Sequence, residues 1–306
     1  MTTAILPPRT LITGDKGFVG QHVLGFLPGA VGLSALRPGI DIRDKDNLVK
    51  CLSEFQPDAV LHLAALSYVP DSFASPELTF DVNFMGTLCL LQALAGTGFQ
   101  GQFVYVGTGD AYGRVHVDEL PLKEERALRP LNPYAVSKAA GEALCFQWSQ
   151  TGPFEITMAR PFNHIGAGQA ATFAISDFAK QIAEIAAGQR LPVLHVGNIE
   201  ATRDFTDVAD VVRAYALMLT HGKNGEIYNV CSGVERSVST LLFSLLRLSG
   251  VAAEVLTDPA RYRPSEQMRV CGSPRKIFEH TGWYPTVPVD ETLLNLYHYW
   301  RKKIDK

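Results

Sequence analysis

Short apolar runs alternate with longer amphipathic stretches through the first half of this 306-residue chain, and no other feature narrows the fold as much. TLIT (10–13), AVGLSAL (30–36), DAVLHLAA (58–65), QFVYVGT (102–108) and FEITMAR (154–160) read as strands. Helical patterns fall between them over residues 17–27, 44–55, 76–95 and 133–148, the third with Pro at its first turn. Strands separated by helices of this length pair in parallel, and the helices cover both faces of the sheet. The expected architecture is therefore α/β, a doubly wound parallel sheet of the Rossmann type.

After Arg160 the rhythm changes. An amphipathic helix is expected over 175–187, a loop feeding a helix over 202–219, and a strand at EIYNVCSG (226–233). Three shorter helices follow from Ser237, interrupted by the Pro- and Arg-rich loop DPARYRPSEQ (258–267). The expected division is a doubly wound domain, residues 1–163 with about 201–231, and a smaller C-terminal α/β lobe, about 164–200 with 232–306.

Composition excludes several classes. The chain is 46% apolar and 19% charged, an ordinary globular balance. Its 31 acidic and 28 basic residues are well mixed, with no basic stripe to meet a nucleic acid. Apolar stretches fall short of the roughly 18–20 residues that span a bilayer, and MTTAILPPRTLITG has no leader-like pattern. Five scattered cysteines (51, 89, 145, 231, 271) fit reduced thiols in a cytoplasm and no metal site.

TGDKGFVG (13–20) stands where the first strand meets the first helix. Gly14, Gly17 and Gly20 allow a tight turn and a close ligand approach, and the helix-start amides then face a pyrophosphate. Further on, NPYAVSK (132–138) places Tyr134 and Lys138 on one helix face, a spacing that serves packing as readily as proton transfer.

With GxxGxxG, Tyr-xxx-Lys and VGTGDAYG (106–113) together, the chain resembles the extended short-chain dehydrogenases/reductases, a superfamily of nucleotide-sugar epimerases, dehydratases and reductases. The resemblance implies NAD(P) and a catalytic set of Thr108, Tyr134 and Lys138. A free phenol has a pKa near 10. Lys138 and an oxidised nicotinamide are expected to lower that of Tyr134, while Thr108 hydrogen-bonds the carbonyl oxygen where charge develops. The cofactor is expected against Gly14, Gly17, Phe18, Val19 and Gly20, the Asp41-Ile42 pair near the adenine, Leu63, Ala64 and Ala65 beside the third strand, and Pro161. The end of the second strand carries no carboxylate but does carry Arg37, which suits the 2′-phosphate of NADPH over NADH.

RPFNHIGAGQ (160–169), SDFAKQIAEI (176–185), VGNIEATRDFTDVADVVRAY (196–215) and RPSE (263–266) are similar to the branch of reductases acting on GDP-4-keto-6-deoxy-D-mannose. That similarity covers nearly the whole chain. It implies reduction of the C4 ketone by NAD(P)H, giving GDP-D-rhamnose or its C4 epimer GDP-6-deoxy-D-talose for cell-surface polysaccharides. It also implies substrate contacts from Ser67, Thr108, Asp110, Asn163, Lys180, Arg203, Arg263 and Glu266, and a homodimer built on the helices near 76–95 and 133–149. Two before Tyr112 the dehydratases carry Glu and the GDP-fucose synthases Cys. Asp110 here leaves a GDP-mannose 4,6-dehydratase or a nucleotide-sugar 4-epimerase as the alternative. His164 is expected to be a hydrogen-bonded loop residue.

Overall fold

The computed structural model describes residues 6–261 and 267–305. β1 (Thr10–Thr13) passes through the glycine loop into α1 (Phe18–Phe26), then β2 (Ala30–Gly32), the single turn α2 (Leu33–Leu36), α3 (Lys45–Phe55) and β3 (Ala59–His62). α4 (Val69–Ala74) and α5 (Pro76–Phe80) follow, and a π-helical turn, Asp81–Met85, carries α5 into α6 (Gly86–Gly96). β4 (Gln102–Val106), α7 (Pro133–Thr151) and β5 (Glu155–Pro161) complete the first half. The remainder is β6 (Asn163–Ile165), α8 (Ala174–Ala186), β7 (Val193–Val196), β8 (Thr202–Asp207), α9 (Val208–His221), β9 (Ile227–Val230), β10 (Glu235–Ser237), α10 (Val238–Ser249), β11 (Glu254–Thr257), α11 (Arg275–Thr281) and α12 (Val289–Ile304).

Six strands form one parallel sheet in the order β2-β1-β3-β4-β5-β9. Its apolar runs lack polar alternation because both faces are covered. Ile12, Leu61, Val104 and Ala159 pack against α9 (Val211, Tyr215, Met218). Their neighbours Leu11, Val60, Phe103 and Met158 pack against α3, α6 and α7 (Leu48, Leu90, Leu94, Cys145). The chain leaves β1 toward β2 on one side and returns to β3 on the other, so a crevice opens beyond the carboxyl ends of β1 and β3.

A smaller lobe forms around Phe178, Ile182, Leu241, Leu245, Leu293, Leu296 and Trp300, from α8, α10 and α12. β11 and β7 pair in parallel at its side, and β10-β8-β6 bridges toward the large sheet. The stretch 232–306 does not belong wholly to this lobe. Ile277 of α11 and Trp283 are buried in the core of the large sheet, where the Trp283 indole donates to the Asp210 carbonyl (2.9 Å).

Start signals were sound. The Asp44 carboxylate accepts from Asn47 N (3.1 Å) to open α3, and Asn132 from Ala135 N (2.7 Å) to open α7, with Pro133 as its first residue. Three expectations need correction. AVGLSAL is a strand only to Gly32, because the Asp15 carboxylate takes the Ser34 amide (3.2 Å) and its hydroxyl, and the chain coils into α2. Residues 202–207 are β8 rather than a loop. Their polarity disguises burial, since the wholly buried Asp204 accepts from Ser232 N (2.7 Å), Ser232 Oγ (2.6 Å) and Gly233 N (2.9 Å). The 21-residue helix Pro76–Gly96 is long and apolar enough to cross a membrane, contrary to the expectation that no stretch reaches that length. It lies against α3 and α7 instead, with Leu90, Leu91 and Leu94 wholly buried.

Behind the sheet's carboxyl edge sits a buried guanidinium. Arg160 of β5 binds Glu142 of α7 through two parallel hydrogen bonds (2.8 and 2.7 Å), and donates to Tyr112 Oη (2.9 Å) and the Glu124 carbonyl (3.0 Å). Removing one partner of such a pair leaves an uncompensated buried charge, which costs about 3–5 kcal/mol. Glu142→Ala is expected to lower unfolding free energy by about that amount in chemical denaturation. A loss under about 1 kcal/mol would show that water or another acceptor replaces the carboxylate.

Candidate active site

The crevice continues between the two lobes as a cleft of about 1000 Å³. Its floor is the glycine loop. Gly14 has φ +69°, and a Cβ there would lie 2.6 Å from the Ala64 nitrogen, so only glycine lets β1 and β3 approach this closely. A Cβ at Gly20 would lie 2.5 Å from the Gly14 carbonyl oxygen. Gly17 precedes α1 as its N-cap and brings no side chain to the first N–H groups, which leaves them for an anion. A pyrophosphate fits this cradle. Gly14, Gly17, Phe18, Val19, Gly20, Leu63, Ala65 and Pro161 all line the cleft.

Thr108, Tyr134 and Lys138 converge on its wall. Thr108 follows β4 in extended conformation, and its Oγ1 accepts from Asp110 N (3.2 Å) to start a 3₁₀ turn. Its hydroxyl also lies close enough to the Tyr134 phenol to favour the phenolate form. Lys138 is buried, with Nζ 4.4 Å from the centroid of the Tyr105 ring, while the Tyr105 hydroxyl donates to the Lys138 carbonyl (3.1 Å). Gly141 makes room for this contact, since a Cβ there would meet Tyr105 Oη at 2.3 Å.

The electrostatics differ from expectation at Tyr134. Its pKa is raised, not lowered: burial dominates, the Asp110 carboxylate adds to it, and the Thr108 hydrogen bond opposes both. A phenol in this setting stays protonated at neutral pH, as a proton donor must. Burial lowers Lys138 from 10.5 to about 8. Burial likewise holds His62, at the end of β3, down to about 3, with the Lys138 charge second. Neutral His62 bridges Thr13 Oγ1 (2.7 Å) and Thr87 Oγ1 (2.9 Å), tying the glycine loop to α6.

The substrate candidates separate. Ser67, Asp110, Asn163 and Arg203 line the cleft, and Arg203 also donates to the Thr202 carbonyl (2.7 Å). Arg263 and Glu266 lie outside the described residues. Lys180 stands outside the cleft wall, near Glu184 (3.6 Å) and over the Trp300 ring (5.8 Å), while Asp177 and Phe178, one turn earlier, line it. Among the cofactor candidates Arg37, Asp41, Ile42 and Ala64 are not in the wall. Arg43 takes up the Asp41 carboxylate and Ile42 packs against Gly86, while Ala64 N donates to Thr13 Oγ1 (3.2 Å). His164 stacks on Phe18 and donates from Nδ1 to the Phe162 carbonyl (3.0 Å), hydrogen-bonded as expected but within β6 rather than a loop.

Sequence reasoning missed two parts of the site. Asn83 in the π turn accepts from Leu66 N (2.8 Å) and donates to Leu66 O (3.0 Å) and Ser137 Oγ (3.0 Å), so it clamps the loop after β3 to the helix bearing Tyr134. A π turn inside a long helix is itself a frequent mark of function, but it has no sequence signature. The other part is Arg261, whose guanidinium reaches Asp177 (2.7 Å) across the far end of the cleft.

Residues 38–296 match the GDP-mannose 4,6 dehydratase family. GDP-6-deoxy-D-mannose reductase of Pseudomonas aeruginosa is 44% identical over 97% of this chain and 98% of its own. The chain belongs to this family, a branch of the extended short-chain dehydrogenases/reductases. A GDP-mannose 4,6-dehydratase of Vibrio cholerae is 31% identical over 82% of the chain and 75% of its own length. Among solved structures, RMD from Pseudomonas aeruginosa complexed with NADPH superposes with a TM-score of 0.91 at 41% identity, over 96% of this chain and 99% of that one.

The pH profile tests the lysine. Lys138 is an ammonium below about 8 and an amine above it, whereas Tyr134 keeps its proton across this range. Ketone-reducing kcat/KM is expected to be level below that value and to fall above it, by up to about tenfold per pH unit. A level profile between about pH 7 and 9.5 would remove the Lys138 charge from the reaction.

Proposed function

We propose that the protein is an NADPH-dependent nucleotide-sugar 4-ketoreductase, acting on GDP-4-keto-6-deoxy-D-mannose in a reducing cytoplasm. The observation that carries this reading is the convergence of Thr108, Tyr134 and Lys138 on the wall of a cleft floored by the glycine loop. The nicotinamide supplies hydride to the sugar C4. Tyr134 gives its proton to the C4 oxygen, Thr108 hydrogen-bonds that oxygen as charge develops, and the Lys138 ammonium stabilises the phenolate left behind. The same lysine, on α7, would hold the nicotinamide ribose of the bound cofactor.

Asp110 stands where the resembled dehydratases carry glutamate. Its carboxylate is one methylene shorter, so a base aimed at the sugar C5 proton starts from a displaced position. The similarity runs the same way, with 44% identity to a reductase against 31% to a dehydratase. Arg37 at the end of α2 makes no ion pair among the described residues and supports NADPH over NADH. The smaller lobe, with Asn163, Arg203 and the Asp177–Arg261 pair on its side of the cleft, is the part proposed to hold the GDP moiety.

Mixing the protein with GDP-4-keto-6-deoxy-D-mannose is expected to oxidise NADPH faster than NADH. NMR of the product then distinguishes GDP-D-rhamnose from GDP-6-deoxy-D-talose. Tyr134→Phe is expected to lose about 10²–10⁴-fold in rate while still binding NADPH. A wild-type rate in that variant, or no NADPH oxidation by the wild type, would falsify the reading.

We also propose a homodimer. Met85 of the π turn, with Val136 and Phe146 of α7, leaves large apolar surface exposed on the two helices expected to pair. Sedimentation should give about twice the monomer mass, and a monomer at micromolar concentration would contradict the assignment.

A further inference from the structure

Two tyrosines reach the cleft from opposite faces of the large sheet. Tyr134 comes from α7, which packs with Phe103 and Met158 on one face, and Tyr215 from α9, which packs with Val104 and Ala159 on the other. Tyr215 is wholly buried, and its ring belongs to the apolar core. Its hydroxyl nevertheless has no hydrogen-bond partner among the described residues. Burial and the neighbouring Tyr134 raise its pKa, so it is a neutral phenol within electrostatic reach of the proposed proton donor.

Such an atom needs a reason. A buried hydroxyl without a partner is costly, and folded proteins keep few of them. Phenylalanine would fill this part of the core equally well and bring no unpaired oxygen. Tyr215 is among the residues that line the cleft, so an occupant against which its side chain shifts can supply the missing partner.

We infer that the Tyr215 hydroxyl is a binding group for the nicotinamide end of the cofactor, donating a hydrogen bond to its carboxamide oxygen. The inference rests on the reductase reading. A nicotinamide whose reacting carbon serves a ketone beside Tyr134 would lie between the two tyrosines that line the cleft. Tyr134 and Lys138 occupy the α7 side, where they meet the ketone and the ribose. On the α9 side the ring's polar group is its carboxamide, and a neutral phenol suits its oxygen as a donor.

The test is Tyr215→Phe, with affinities measured by calorimetry for NADPH and for 2′-phospho-ADP-ribose, which lacks only the nicotinamide. Losing one neutral hydrogen bond is expected to raise the NADPH dissociation constant about 3- to 10-fold. Affinity for 2′-phospho-ADP-ribose should not change. The cofactor-free variant should melt at the same temperature as wild type or higher, because it no longer buries an unpaired hydroxyl. Unchanged NADPH affinity would overturn the inference. So would equal weakening of both ligands together with a lower melting temperature, since the hydroxyl would then be structural. Failure of the wild type to bind NADPH would sink the cofactor reading itself, and binding in the wild type separates the two cases.

Discussion

The buried Arg160 guanidinium fixes the geometry on which the site depends. It joins β5 to α7 through Glu142, and both to the segment after β4 through Tyr112. Tyr112 in turn donates to Asn229 Oδ1 (2.7 Å) of β9, and Asn229 N donates to Glu124 (2.8 Å). Thr108 comes from the segment after β4, Tyr134 and Lys138 from α7, and Pro161 from the end of β5. All four are referred to one charge that has no access to water. A buried ion pair is weak evidence for net stability, because desolvation offsets most of the attraction. Its bidentate geometry does restrict how the elements can sit, and a proton donor needs that restriction more than it needs stability.

A second clamp works from the other side of the cleft. Neutral His62 ties the glycine loop to α6, and Asn83 ties the loop after β3 to α7. Gly14 meets Ala64 at a distance no side chain would allow. The floor and the wall of the cleft are thus cross-braced by neutral hydrogen bonds. Desolvation is the largest influence on both Tyr134 and Lys138, and it has opposite consequences for the two. Burial holds the proton on the Tyr134 phenol and loosens it on the Lys138 ammonium, down to about 8. A tyrosine that begins as the acid is poised for reducing a ketone.

Much of this was legible in the sequence, and particular residues show why. The first-half strands and helices could be read because a sheet covered on both faces writes uninterrupted apolar runs, and because Asp44, Asn132 and Pro133 mark where helices begin. The glycine loop could be placed because its spacing follows a strand directly. β8 reads as a loop in the sequence because its partners, Asn163 to Ile165 and Glu235 to Ser237, are far away in the chain and its buried Asp204 is polar. α11 was assigned to the small lobe by chain order, yet Ile277 and Trp283 fill a gap under the large sheet. Lys180 is expected in the site from a motif, whereas the helix brings Asp177 and Phe178 to the cleft wall instead.

The sequence by itself determined the parallel sheet, the glycine loop and the residue types able to move a proton, since these depend on local periodicity and on chemistry that each side chain carries with it. Only the tertiary structure decided the protonation of Tyr134, the place of Asn83 in a π turn, and the unpaired hydroxyl of Tyr215. Those properties belong to burial and to contacts between segments distant in the chain. Burial depends on everything packed around an atom, and no window of neighbouring residues contains that information.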